Sequence, residues 1–146
     1  MGSAYTEVLN GQRFPSLASN VLSVRRAMQV ARTTTAGTAN VTQNWNWSFT
    51  PNSGSTIALF KPLPSGQFST ATGTITWARG TENFTLNFSI TTPLVYDSTC
   101  TTPPRITAGV VTFTTTGSGS HNGTFTATFT GCGVKPTVSP VSATSH

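Results

Sequence analysis

Acidic residues are almost missing from this 146-residue chain: Glu7, Glu82 and Asp97 are the only three. Catalysis by paired carboxylates needs two acids close in space, and three scattered acids offer no pair. Histidine is nearly as scarce. Of two, only His121 is internal, and it lies in a Gly/Ser-rich turn. His121, Asp97 and one of many serines can be assembled into a triad on paper, but no Gly-x-Ser-x-Gly elbow exists. The two cysteines show neither Cys-x-x-Cys spacing nor histidine neighbours, so no zinc site is expected, and ligands for other metals are also lacking. The sequence therefore predicts a protein that is not an enzyme and uses no metal or cofactor. No run of 18 apolar residues occurs, so no transmembrane segment is predicted either.

Charge of any sign is sparse, at 8 % of residues against roughly 25 % in ordinary globular proteins. The net charge of +5 comes from eight Lys and Arg set against three acids. Nucleic-acid surfaces are dense in such residues. Here the one cluster is Arg25, Arg26 and Arg32, with Arg13 upstream, so nucleic acid is not an expected partner. The cluster remains a candidate contact for some other anionic partner.

What fills the chain instead is 30 Thr and 16 Ser. Threonine is β-branched and suits a pleated, half-wet surface. Nine Phe and three Trp supply material for a core, and the length fits one domain. Residues 1–15 read as a flexible lead-in, 16–133 as a single β-rich domain, and 134–146 as a Pro/Ser/Thr-rich tail. Within 16–33, Leu17, Val21, Val24, Met28 and Ala31 recur at helical spacing, with Ser16 as N-cap and Gly37 beyond the end. This predicts an amphipathic helix.

After Thr38 the period drops to two. Val41, Gln43, Trp45, Trp47 and Phe49 share one parity, and Thr42, Asn44, Asn46, Ser48 and Thr50 the other, which is a strand with one dry and one wet face. Residues 56–62 read as a second short strand, and Gly73 as a bulge or kink in the next. Phe84, Leu86, Phe88 and Ile90 share the dry face of another strand. Residues 106–116 and 124–133 read as a hairpin, with Val111 and Phe113 facing in from one arm and Phe125, Ala127 and Phe129 from the other. The sum is an all-β antiparallel sandwich or small barrel of six to eight strands with one N-terminal helix. In a closed barrel the tryptophans fill the interior. On an open face Trp45, Trp47, Trp77 and Tyr96 become candidate ligand-binding residues.

Cys100 and Cys132 read as one disulfide rather than two core thiols, which places the chain in an oxidising compartment. Five Asn-x-Ser/Thr triplets occur, at Asn40, Asn46, Asn83, Asn87 and Asn122. A chain nearly one-third Ser and Thr produces several by chance.

The stretch from "WNWSFT" to "FTGCG" resembles small secreted or lipid-anchored β-rich proteins of bacterial cell envelopes. In them Thr-rich strands lead through a "TTPLVYDSTC"-type connection to a hairpin ending in "GCG". The resemblance covers residues 17–133 and carries no catalytic residue. It implies a secreted or cell-envelope location. The expected role is a non-catalytic binding or structural β-domain, whose partner is a surface polymer or another protein chain. The alternative is a self-assembling coat or filament subunit with a basic N-terminal helix.

Overall fold

The computed structural model describes residues 6–35, 37–118 and 122–141. They form eight strands: β1 (Thr6–Ala18), β2 (Val21–Thr34), β3 (Gly37–Pro51), β4 (Gly66–Arg79), β5 (Glu82–Tyr96), β6 (Ile106–Gly117), β7 (Gly123–Phe129) and β8 (Thr137–Pro140). All lie in one antiparallel sheet in the order β1 to β8, each bonded to its neighbours in sequence. The all-β, antiparallel expectation holds. The sandwich and the barrel do not: there is one layer, and β1 and β8 are its two edges.

The expected helix over 16–33 is instead a hairpin. Ala18 pairs with Val21, Leu17 with Leu22, and the anticipated N-cap Ser16 with Ser23. Ser19 and Asn20 turn the chain with φ of 49° and 58°, the two positive values that a tight two-residue hairpin requires. The helical stripe is split by the pleat, with Val24 and Met28 on one face and Val21 and Ala31 on the other. Two boundary expectations also change. Residues 6–15 of the lead-in belong to β1, and residues 137–140 of the tail form β8.

Directly paired residues share a face, so rows can be followed across the sheet. Arg26, Trp45, Gly73, Phe88, Phe113, Phe125 and Pro140 form one row. One residue along, Arg25, Asn46, Thr72, Ser89, Thr112, Thr126 and Ser139 form the next. The first is largely aromatic, the second almost wholly hydroxyl and amide. Successive rows repeat this alternation, which gives the sheet one apolar and one polar face. On the polar face, Thr72 donates to Asn46 at 3.1 Å and Thr74 to Asn87 at 2.8 Å. The Thr114 and Thr124 hydroxyls meet at 3.0 Å. Such cross-strand pairs each contribute roughly 0.2–1 kcal/mol.

Val24, Phe49, Ile57 and Cys100 are the buried hydrophobic residues among those described, and Pro51, close to Phe49 in sequence, is buried as well. Phe49 is the centre, with no exposed surface. Its ring lies 5.0 Å from Phe68 and 6.0 Å from Tyr96, and against Gly66, where any side chain would collide. A register shift between Ser48 and Phe49 brings Phe68 onto this face.

Two connections close this end of the sheet. Residues 52–65 form no strand, contrary to the expectation for 56–62. The loop is fastened at its base by Asn20, which donates to the Ser55 carbonyl and accepts from the Ile57 N–H, both at 2.9 Å. The connection after β5 is held by Asp97. Its carboxylate accepts from the Thr99 hydroxyl at 2.6 Å, the Thr99 N–H at 2.8 Å and the Ser65 hydroxyl at 3.5 Å. Cys100 and Cys132 are joined in a disulfide, as expected, with Cα atoms 5.7 Å apart. The Gly133 N–H bonds the Pro104 carbonyl, which adds a second tie.

Phe49→Ala should lower stability by about 3–5 kcal/mol, read as a large drop in melting temperature. A change below about 1 kcal/mol would show that Phe49 is not the centre of the core. Asp97 makes a pH-dependent contribution. The Thr99 hydroxyl, then the Thr99 N–H, hold its pKa below the ordinary 3.8. A carboxyl lowered on folding stabilises above its unfolded pKa, and that share is lost as pH falls through the lower folded value. The melting temperature of Asp97→Asn should therefore change less than that of the wild type on acidification below pH 4. Parallel curves would remove Asp97 from this role.

Candidate binding face

The strict alternation of strands puts all four candidate aromatics, Trp45, Trp47, Trp77 and Tyr96, on the apolar face, each half-buried. They do not form one cluster. Trp47 meets Phe68 edge-on at 5.4 Å, and Phe68 meets Tyr96 at 6.3 Å. Trp45 lies beside Phe88, whose ring covers Gly73. Trp77 pairs with Val41 and Phe84 near the opposite end of the sheet.

An open groove of about 400 Å³ runs along this face, lined by Trp47, Phe68, Ala71, Phe88, Ile90, Leu94, Ile106 and Val111. All eight residues are apolar. The volume falls within the roughly 300–1,000 Å³ of small-ligand pockets, but the groove is a surface channel and not an enclosed cavity. Of the four candidates only Trp47 lines it directly; Tyr96 closes one end by pairing with Ile106.

Phe88 lies on the dry face, as the alternation of its strand predicts, but sequence reasoning missed the place of Phe68 and misread Gly73. Phe68 falls out of simple alternation because of the register shift in β4. Gly73 is not a bulge: it pairs regularly with Trp45 and Phe88. A Cβ there would strike the Phe88 ring and the Trp45 Cβ, so the glycine is the floor on which Phe88 rests.

The expected arginine cluster is divided between the two faces. The Arg26 guanidinium sits 5.6 Å from the Trp45 ring centre on the apolar face and donates to the Met28 sulfur at 2.9 Å. Arg25 points to the other face and covers Phe14 at 5.1 Å. Arg32 pairs with Ala39, six residues further along β2, about 20 Å away at strand rise. No single surface presents all three.

On the polar face, Arg25, Asn44, Asn46, Thr72, Thr74 and Asn87 border a shallow trough of about 560 Å³. Its Thr and Asn groups bond one another across the strands. Asn40, Asn46, Asn83, Asn87 and Asn122 are all exposed. Among the described residues no group of His, Cys, Asp and Glu could hold a metal ion. His121 lies outside the described residues, and no helix of those described is long and apolar enough to cross a membrane. No protein-family model, curated protein or solved structure matches the chain.

Gly73→Val should displace Phe88 and cost about 1–3 kcal/mol by overpacking, seen as a lower melting temperature and a changed environment for Trp45 in its emission spectrum. An unchanged spectrum and melting temperature would show that the Phe88 ring does not rest on Gly73.

Proposed function

We propose that this chain is a non-catalytic module of a secreted or cell-envelope protein, whose apolar sheet face is a docking surface. The observation that carries this reading is a single-layer sheet with a wholly apolar groove on one side. An amphipathic sheet gains stability by burying its apolar face against a second layer. Here the groove residues remain half-buried. Large uncovered apolar surface marks an interaction site. The disulfide is compatible with an oxidising compartment.

A second reading, self-assembly into a coat or filament, is favoured by one observation: β1 is an edge strand of 13 residues, while β8 covers only four at the other edge. Long edges template further pairing. The basic helix expected for such a subunit is replaced by β1 and β2 and plays no part in this reading.

The docking reading is tested with an apolar dye such as anilinonaphthalene sulfonate at submicromolar protein. The wild type should bind it. Ile90→Lys should lose most of the signal, whereas Thr74→Lys on the polar face should keep it. Equal binding by both variants would overturn the reading.

A further inference from the structure

We propose that copies of this chain associate head to tail, with the Leu59–Phe60 tip of one copy seated in the apolar groove of the next. The proposal rests on the reading of that groove as a docking surface and names its occupant. Leu59 and Phe60 are 71 % and 103 % exposed, the two most exposed large apolar side chains described. They stand at the apex of a turn closed by the Lys61 N–H on the Ala58 carbonyl. Phe60 has φ of 61°, a left-handed conformation that a bulky residue rarely adopts and that functional segments tend to store.

The tip is preorganised. Its base is clipped by Asn20 through Ser55 and Ile57, and Ile57 itself is buried. Pro62 and Pro64 follow directly, each with a fixed φ. A rigid knob loses little further freedom on docking. Its exposure means that it does not occupy the groove of its own chain. Knob and groove are both uncharged, so neither carries an unpaired charge into the contact.

Charge at the margin sets the polarity of the contact. Lys61 follows the knob and is exposed. Asp97, one of only three acids in the chain, follows Tyr96 at the groove end that Ile106 lines. A docked tip would bring Lys61 towards Asp97, with Arg105 the other charged residue at this end.

A knob on one surface meeting a groove on another is a heterologous contact, which extends as an open chain unless its rotation closes a ring. Two side chains in a groove bury less than the roughly 800 Å² per partner of a standard interface. The association is therefore weak, with a Kd of about 10–100 μM, and strengthens when copies are concentrated on a surface.

Sedimentation equilibrium over 5–500 μM protein tests this. The average mass of the wild type should rise past that of a dimer. The knob variant Leu59→Ser/Phe60→Ser and the groove variant Ala71→Phe should each remain monomeric. Mixed in equal amounts they should form a dimer that grows no further, because one intact knob meets one intact groove. Lys61→Glu should weaken association by about fivefold, as for a surface ion pair. Far-UV circular dichroism checks that Ala71→Phe is folded; Ile90→Lys serves in its place if it is not. A wild type that stays monomeric, or a dimer that mixing does not restore, overturns the proposal. So does a monomeric wild type whose tip is instead needed to bind anionic phosphatidylglycerol vesicles. If the dye still binds the groove in any of these cases, the docking surface stands and only its occupant is wrong.

Discussion

Pairing register is the constraint on which everything else in this molecule depends. In a pleated strand the side chains alternate, so a slip of one residue exchanges the two faces. Here that slip would place Thr72, Thr112 and Thr126 among the aromatics and turn Phe88, Phe113 and Phe125 towards water. The stacked pair Phe113–Phe125, at 5.5 Å between centres, exists only in the observed register. The irregularities are confined. Those in β4 and β5 lie near Phe68 and beyond Ile90, where the strands lead into the two closing connections.

The division of labour between the faces follows from composition. With so few charges, the polar face is solvated and cross-linked by Thr, Ser and Asn, whose short groups bond across strands at little cost in rotamer freedom. The apolar face is aromatic, and its adhesion is concentrated at the end around Phe49. Among the described residues, none at the far end near Trp77 is a fully buried apolar residue to match it. The molecule is thus firmest where the 52–65 loop and the 97–105 connection meet the sheet, and the groove begins at that firm end.

Much of this was legible in the sequence. The alternation in 41–49 and 84–90, the 106–129 hairpin and the disulfide all follow from the two-residue period and the cysteine placement. The β1–β2 hairpin was not. Leu22, Val24, Met28 and Val30 keep strand parity, but Arg26 interrupts them on the apolar side. It is tolerated because its guanidinium bonds the Met28 sulfur two residues on and lies over Trp45, which is distant in sequence. Without that partner the helical spacing looked stronger. The turn signal was also faint, since Ser-Asn lacks the glycine that usually marks such a turn. The groove escaped notice because Phe68 is brought into place by a register shift, and no pattern in β4 alone announces one.

The position of Cys132, between β7 and β8, gives the sheet a mechanical asymmetry. β8 holds to β7 through four paired residues, and a pull on the C-terminal end would unzip them one at a time. The load would next reach Cys132 and pass through the covalent bond to Cys100, into the turn braced by Asp97, Thr99 and Ser65. It would bypass the ladder between β6 and β7. Tension applied from that side therefore strips one short strand and then stalls, leaving the aromatic rows of the sheet in register.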